Sequence, residues 1–290
     1  MAPLQLNESL EVQRKVQDRG FAAYIAEVLG TLLLVMFVGV VVTLFAQTDP
    51  ASGTGSDFAV IGLVHAFGLM ILIFSFGAVS GGHFNPAVTI SALIQKKIDA
   101  VDAVIYMLAQ LSGAVLGSLL VKGLLEDEGS LSGYGNAEVA DALGGNFQGF
   151  IVEGIGTFLL VLVICSVAFN PRARQEWAPF AIGATLGFIV MIFGPLTGGS
   201  FNPARWFGPA LIGDGLEGAD LVPYVLGPIV GALLATAVYK FVIAGPQFAE
   251  GPEPPTSDAR AVGQSVKDAE TRTRNQGTGV GTRDKDSKRK

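Results

Sequence analysis

Long apolar stretches, separated by short polar connections, make up most of the first 245 residues of the chain. A helix of about 20 mostly apolar residues crosses the roughly 30 Å hydrocarbon core of a bilayer. The fifth stretch is the shortest, because Gly194 and Pro195 are expected to end its helix early. The pattern predicts an all-α integral membrane protein with six transmembrane helices. The six segments run near 22–46, 58–78, 103–124, 148–169, 178–195 and 221–244.

The charges between these segments alternate in sign along the chain. Basic residues precede span one, separate spans two and three, separate spans four and five, and follow span six: Arg14, Lys15, Arg19, Lys96, Lys97, Arg172, Arg174 and Lys240. The other connections are acidic: Asp49, Asp57, Glu126, Asp127, Glu128, Asp214, Glu217 and Asp220. Lysine and arginine concentrate in cytoplasmic loops, and an even number of spans requires both termini to share a side. We therefore expect both termini in the cytoplasm, with the cell membrane as the location.

The two ends of the chain are polar. Residues 1–20 are charged and lack the apolar core and cleavage site of a signal peptide, so we interpret them as a cytoplasmic segment. Residues 246–290 are rich in proline, glycine, serine, threonine and mixed charges, with almost no aliphatic side chains. That composition predicts a disordered cytoplasmic tail, whose basic end is suited to contact with anionic lipid.

The membrane domain contains an internal repeat. The motif Ala-Glu-Val-Leu-Gly-Thr at 26–31 opens span one, and Val-Glu-Gly-Ile-Gly-Thr at 152–157 opens span four. The segment 80–87 after span two matches 198–204 after span five. Because each copy holds an odd number of spans, the second copy is inverted in the membrane. Inverted repeats place a shared site near the bilayer midplane.

Each copy carries one Asn-Pro-Ala triplet. Asparagine is a favoured helix N-cap, and proline is favoured at the first helical position. The apolar runs that follow end at Ile94 and Ile212, so each predicted helix has about ten residues and covers about half a bilayer. Irregular backbone at that depth must be buried or line a wet cavity, so two re-entrant half-helices should meet at the midplane. The triplets are Asn85, Pro86, Ala87 and Asn202, Pro203, Ala204.

This arrangement has an electrostatic consequence. The positive N-terminal ends of two half-helices would face each other, and a cation or proton between them would meet a repulsive potential. The side-chain amides of Asn85 and Asn202 can donate hydrogen bonds to a passing oxygen atom. Capping of ordinary surface helices is the alternative, which the matching Gly-Gly contexts of the two triplets disfavour.

The paired triplets, with Arg205 directly after the second, resemble those of the aquaporin (major intrinsic protein) family over residues 20–245. The resemblance implies an aquaporin-like channel domain at 21–245, with repeats at about 21–125 and 147–245. It also implies a right-handed six-helix bundle, one pore per subunit and a homotetramer. The expected function is passive transport of water, with ions and protons excluded.

Arg205 lies in the first turn of the second half-helix, where a cation is electrostatically unfavourable. A poor structural position indicates a functional role, and the guanidinium offers several donors in a rigid fork. In the family this arginine joins three other positions in the narrowest ring. An ungapped count from the motifs assigns them to His65, Val190 and Gly199, whereas a two-residue gap in span two would place Phe67 where His65 stands.

The composition of this ring bears on the cargo. Histidine on span two with the small Val190 and Gly199 resembles the filter of plant tonoplast intrinsic proteins, which implies ammonia, urea and hydrogen peroxide besides water. Strict water channels usually have phenylalanine on span two and histidine on span five. Glycerol facilitators pair bulky aromatic residues with the arginine and tend to have aspartate after it, where this chain has Trp206. We expect water first, small neutral solutes in addition, and glycerol as a further candidate.

Two acidic residues inside the spans suggest a competing function. Glu27 and Glu153 occupy equivalent repeat positions, and intramembrane acids are the groups that a proton-coupled secondary transporter needs. The resemblance instead implies that they accept hydrogen bonds from the re-entrant loops. His83 precedes the first triplet and is expected to support that loop, with direct solute contact as the alternative. Small residues are expected where helices pack closely, namely at Gly113, Gly117 and Gly231.

Other classes of protein fit poorly. Half of the residues are apolar and 15% are charged, whereas about a quarter are charged in soluble domains. The sequence contains no phosphate loop, metal-ligand cluster or nucleophile elbow. We therefore expect no enzymatic activity, catalytic residue, cofactor, metal or nucleic acid partner. The expected partners are water, small neutral solutes, the lipid bilayer and copies of the chain itself, and a proton-coupled transporter is the alternative.

Overall fold

The computed structural model describes residues 20–46, 57–213 and 215–245. The predicted N-terminal segment up to residue 19 and the predicted tail at 246–290 lie outside these described residues. The same holds for the charged residues Arg14, Lys15, Arg19, Asp49 and Asp214. The described part is all-helical, without a β-strand, and the predicted fold class is confirmed.

Six stretches of the described chain are long and apolar enough to cross a membrane. They are Phe21–Phe45, Phe58–Ser80, Ala100–Leu124, Asn146–Phe169, Gln175–Thr197 and Gly218–Ala244. In chain order the α-helices are α1 (Phe21–Phe45), α2 (Phe58–Ser80), α3 (Pro86–Ile94), α4 (Ala100–Leu124), α5 (Glu126–Ser130), α6 (Asn146–Ile164), α7 (Ala178–Thr197), α8 (Pro203–Ile212) and α9 (Gly227–Val238). The six predicted spans are confirmed, with boundaries that differ by a few residues.

The end of the fifth span was predicted wrongly. Helix α7 continues through Pro195 to Thr197 and ends at Gly198, which has a left-handed φ of 72°. Proline removes one backbone donor, and at Pro195 that loss falls within the last turn. The amide of Gly198 bonds the carbonyl of Gly194 over 2.9 Å, so the turn around the proline is still closed.

Helix irregularities at the span ends were not visible in the hydrophobic pattern. The fourth span finishes in a π-helical turn, Cys165–Phe169. The sixth has another near its start, at Val222–Leu226, and ends with a third at Tyr239–Ala244. Such turns often occur at functional sites. These spans are apolar all round, so a shift in the phase of the helix leaves no visible change in the sequence pattern.

Glycines allow the helices within each repeat to approach closely. A Cβ at Gly113 would lie 2.4 Å from the carbonyl oxygen of Val28, so α4 packs directly on the backbone of α1. The same argument holds at Gly117, and at Gly231 the Cβ would lie 2.2 Å from the carbonyl oxygen of Gly154. The predicted packing role of these three glycines is confirmed.

The two half-helices begin where the sequence predicts. The Oδ1 atom of Asn85 accepts the amide of Ala87 at 2.9 Å, and Oδ1 of Asn202 accepts the amides of Ala204 and Arg205 at 3.0 and 3.3 Å. Helices α3 and α8 have nine and ten residues. Both are therefore half the length of a span, and their first residues meet inside the domain.

The residue before each triplet anchors the half-helix in the core. Phe84 and Phe201 have left-handed φ angles of 46° and 50°, which are unusual for residues with a bulky side chain. Their rings fill the space above glycines: a Cβ at Gly30 would lie 2.0 Å from the ring of Phe84, and one at Gly156 would lie 2.1 Å from that of Phe201. The repeated Gly-Thr motifs of α1 and α6 thus receive the two rings.

Candidate functional site

An internal cavity lies between the two repeats, next to the meeting point of the half-helices. Its wall is mostly aliphatic, contributed by residues such as Leu34, Val38, Leu69, Leu160, Ile164 and Leu186. A few polar side chains lie along this apolar wall: His65, His83, Asn85, Ser200, Asn202 and Arg205. A mostly apolar cavity with a few convergent polar groups is typical of small-molecule sites.

The joint between the two half-helices is made by the two triplet asparagines. The Nδ2 atom of Asn85 donates to the carbonyl of Phe201 at 2.9 Å, and Nδ2 of Asn202 donates to the carbonyl of Phe84 at 2.8 Å. An amide nitrogen carries two hydrogens, so each asparagine keeps a second donor after making its cross-link. Both asparagines line the cavity, and that donor is available to an oxygen atom there.

Glu27 holds the first re-entrant segment, residues 80–84, which leads from α2 into α3. Its carboxylate accepts hydrogen bonds from Ser80 Oγ at 2.6 Å, from the amides of His83 and Phe84 at 3.0 and 2.7 Å, and from Gln110 Nε2 at 2.8 Å. The side chain is fully buried. The carboxylate therefore fixes the backbone that leads into Asn85.

Glu153 holds the second re-entrant segment, residues 197–201, in the same way. It accepts from Thr197 Oγ1 at 2.7 Å and from the amides of Ser200 and Phe201 at 3.0 and 2.6 Å. Within the described residues neither Glu27 nor Glu153 contributes to the cavity wall. Both acids are occupied by fixed donors, as the family resemblance implied.

His83 contacts both the loop and the cavity. Its Nδ1 lies 3.1 Å from Thr89 Oγ1, and its ring meets the edge of Tyr106 at a centroid distance of 5.4 Å. Part of the side chain also lines the cavity. The structure thus contains the loop contact that was expected and leaves room for the solute contact that was its alternative.

Arg205 is buried with its donors unused. The side chain is 2% exposed, and its Nε, Nη1 and Nη2 atoms have no hydrogen-bond partner among the described residues. Buried polar groups in proteins are almost always hydrogen-bonded to protein or water. Because Arg205 lines the cavity, its guanidinium is positioned to donate to molecules inside it.

His65 offers the cavity a hydrogen-bond acceptor, whereas Arg205 offers donors. Its Nδ1 lies 2.8 Å from the carbonyl oxygen of Ile61, which can only accept, so Nδ1 carries the proton. In a neutral ring Nε2 is then an acceptor. That atom is buried and has no partner in the described part of the chain. Because His65 lines the cavity together with Arg205, the same space has an acceptor as well as donors.

Phe67, the alternative to His65, faces the other way. Its side chain is 53% exposed on the outer surface of α2, and it is not part of the cavity wall formed by the described residues. His65 is 2% exposed. The two positions lie about 200° apart around a helix with 3.6 residues per turn, so only one of them can face the cavity.

Val190 and Gly199 lie together beside the cavity rather than in its described wall. Val190 is fully buried, and a Cβ at Gly199 would contact its Cγ2 atom at 3.4 Å. Gly199 connects Ser200, which lines the cavity, to Gly198, which lines a second recess. The pair therefore stands between the two hollows, where a constriction would lie.

The second recess was not predicted from the sequence. Its polar lining comes mostly from the connection between α5 and α6, including Ser132, Asn136 and Glu138. The positive φ angles of Gly133, Tyr134 and Gly135 shape this connection, and its Gly-Tyr-Gly-Asn sequence was the available signal. Gln110 was also missed, although a polar side chain inside an apolar span is itself a signal of a buried network.

Six spanning helices, with two half-helices that meet beside an apolar cavity containing a few polar groups, define a class of membrane channels. A profile of the family described as major intrinsic protein matches residues 14–239. The chain is 39% identical over 213 residues to glycerol uptake facilitator protein-like 6 of Lactiplantibacillus plantarum, covering 73% of this chain and 94% of the relative. It is 39% identical over 236 residues to the probable aquaporin AqpM of Archaeoglobus fulgidus, covering 76% and 96%.

A solved structure agrees with these relatives. The aquaglyceroporin of Plasmodium falciparum superposes with a TM-score of 0.65 at 28% identity, covering 77% of this chain and 96% of that one. The chain belongs to the major intrinsic protein family. Members of the family are passive membrane channels for water and small solutes and are not enzymes. The chain is accordingly a multi-pass integral membrane protein with a channel function.

Proposed function

We propose that this channel passes water together with ammonia, urea and hydrogen peroxide, and excludes ions and protons. The observation that carries the proposal is the buried, unpaired guanidinium of Arg205 beside the acceptor Nε2 of His65 among the described residues. A donor group and an acceptor group facing one space favour solutes that carry both N–H or O–H hydrogens and a lone pair.

The exclusion of cations follows from fixed charges. Arg205 stays protonated, and its charge lies in the first turn of α8. The N-termini of α3 and α8 add two positive helix ends beside the same cavity. A cation in the cavity would meet all three without a carboxylate on the described wall. A neutral molecule meets only hydrogen-bonding groups.

The proposed selectivity filter consists of His65, Val190, Gly199 and Arg205. The small Val190 and Gly199 leave the opening wider than a second aromatic ring would. Water, ammonia and hydrogen peroxide are smaller than urea, so urea flux shows whether the opening is wider than those three solutes require. Glycerol is the further candidate, since a glycerol facilitator-like protein and an aquaglyceroporin are among the relatives.

Orientation and assembly are part of the proposal. We place the chain in the cell membrane as a homotetramer with both termini cytoplasmic. The charge alternation supports this orientation, because Lys96, Lys97, Arg172 and Arg174 lie in connections on one side. Large apolar side chains exposed along the spans, such as Phe74 and Leu108, support contact with lipid or neighbouring subunits.

The contacts of the two acids inside the spans disfavour the alternative of a proton-coupled transporter. Such a protein needs acids that bind and release protons along the solute path. Glu27 instead accepts four hydrogen bonds, three from residues 80–84 and one from Gln110 of α4. Glu153 accepts three, all from residues 197–201. The passive channel is therefore the function that we propose.

The test uses the full chain reconstituted in liposomes. Light scattering after a jump in an impermeant osmolyte reports water flux, and swelling in isotonic urea or glycerol reports solute flux. We expect fast water flux and measurable urea flux. Water flux without urea flux would contradict the wide filter, and flux no greater than in empty liposomes would contradict the channel function.

A further inference from the structure

The two repeats hold their re-entrant segments with one tyrosine each. Tyr106 donates from its hydroxyl to the carbonyl of Ser80 at 2.9 Å. Tyr224 donates to the carbonyl of Thr197 at 3.0 Å. Ser80 and Thr197 are equivalent residues, since their hydroxyls donate to Glu27 and Glu153, respectively. Both tyrosines are fully buried.

The repeats differ four residues after the triplet asparagine. In the first repeat this residue is Thr89, whose Oγ1 accepts from Gln110 Nε2 at 2.9 Å and bonds the carbonyl of Asn85 at 3.1 Å. The first turn of α3 is thus fixed by polar contacts. These contacts do not involve Tyr106, whose ring meets Tyr24 and His83 instead.

In the second repeat the equivalent residue is Trp206. Its ring stacks on Tyr224 with a centroid distance of 5.6 Å and an interplanar angle of 14°. Trp206 is 1% exposed and packs in a small apolar cluster with Tyr224, Ala137 and Ala210. The first turn of α8, which carries Arg205, therefore rests on the ring of Tyr224.

Tyr224 consequently contacts both sides of the proposed filter. Its hydroxyl holds Thr197, whose own hydroxyl lies 3.4 Å from the amide of Gly199. Its ring holds Trp206, the neighbour of Arg205. Gly199 and Arg205 are two members of the proposed ring, and the guanidinium has no partner of its own among the described residues. Tyr224 contacts Thr197 near Gly199 and Trp206 next to Arg205, so the distance between Gly199 and Arg205 depends on Tyr224.

We propose that Tyr224 is a positioning residue of the pore, which sets the width of the constriction by holding the segments of Gly199 and Arg205 together. This inference rests on the proposed filter. Tyr106 has the same hydrogen bond in the first repeat without a contact to either segment, so it provides a matched control.

The test compares Tyr224→Phe with Tyr106→Phe in the full chain, reconstituted in liposomes. Each variant loses one hydroxyl and one buried hydrogen bond, so a merely structural loss should be similar in both. The readout is the ratio of urea to water permeability, which is independent of the amount of active protein. We expect Tyr224→Phe to raise the ratio by about threefold, within the range of one lost hydrogen bond, and Tyr106→Phe to leave it at the wild-type value.

Equal ratios in both variants, whether changed or unchanged, would overturn the proposal. If Tyr224→Phe is not recovered as folded protein, Trp206→Phe decides instead, because it shrinks the stacked surface on the other side. That variant should raise the same ratio, and an unchanged ratio would overturn the proposal. Failure of the proposed function is distinguishable from failure of this proposal, because the wild-type protein itself would then show no water or urea flux.

Discussion

The side-chain amide of Asn85 donates a hydrogen bond to the backbone carbonyl of Phe201, which lies 116 residues later in the chain. The bond from Asn202 to the carbonyl of Phe84 repeats this contact with the halves exchanged. Each asparagine therefore caps its own half-helix with Oδ1 and ties the opposite segment with Nδ2. The joint at the centre of the domain depends on an amide at both positions.

Asn85→Asp tests this joint. A carboxylate can still accept the amide of Ala87, but it cannot donate to the carbonyl of Phe201. An unsatisfied buried acceptor costs about 1–3 kcal/mol of stability, and the added negative charge opposes the cation barrier. We expect a lower thermal unfolding midpoint and a measurable cation leak in liposomes.

The matched control is Asn170→Asp, at a position outside the described cavity wall. The substitution keeps the oxygen that accepts the amide of Arg172. It should match the wild type in both measurements. If Asn85→Asp shows no cation leak, the proposed role of fixed charge at the joint is contradicted.

Gly30→Ala tests the seating of the re-entrant segment. The added methyl would lie 2.0 Å from the ring of Phe84, and forcing extra atoms into a packed core costs about 1–3 kcal/mol. We expect a lower unfolding midpoint and reduced water flux, and Gly156→Ala should behave alike because of its contact with Phe201. Gly123→Ala is the control, since a Cβ added there would meet no described atom within 4 Å beyond its chain neighbours and the backbone of its own helical turn.

Glu153→Gln separates support of the loop from proton coupling. Because Oε1 accepts the amide of Ser200 and Oε2 accepts that of Phe201, the substitution turns one of these two acceptors into a donor that faces an amide. Losing one hydrogen bond to a charged group costs about 1.5–3 kcal/mol of stability, so the unfolding midpoint should fall. The control Glu126→Gln, at an exposed position, should leave the midpoint unchanged. Wild-type urea flux should be the same with and without a proton gradient. Gradient-driven uptake that Glu153→Gln abolishes would instead establish the transporter.

His65→Phe tests the filter assignment. The ring would keep the side of α2 that faces the cavity but lose the Nε2 acceptor and narrow the opening. We expect the ratio of urea or ammonia flux to water flux to fall. Phe67→Leu, on the exposed side of the same helix, should leave the ratio at the wild-type value. The assignment fails if the ratio responds to Phe67→Leu and not to His65→Phe.

The features that could be predicted are those set by local chemistry. Span length follows from the thickness of the bilayer, and the starts of α3 and α8 follow from the capping preferences of Asn-Pro. The side of α2 that faces the cavity could not be chosen, because a span that is apolar all round has no amphipathic signal. For that reason His65 and Phe67 stayed open until the structure separated them.

The supporting contacts could not be predicted either. These contacts join residues far apart in the sequence, and one sequence alone has no pattern that pairs them. They are the bonds of Gln110 with Glu27, of Tyr106 with Ser80 and of Tyr224 with Thr197. Pro195 misled the prediction because its position within the last helical turn, rather than its presence, decides its cost. The recess residue Asn136 was missed since loop geometry has no periodicity.

The pore is expected to conduct neutral molecules and to reject cations at Arg205 and at the N-termini of α3 and α8. The most direct measurement records water and proton flux in the same proteoliposomes, by light scattering and an enclosed pH dye under a potassium diffusion potential. The account predicts water permeability well above that of empty vesicles, with proton flux equal to theirs. Proton flux that rises in proportion to water permeability would contradict it.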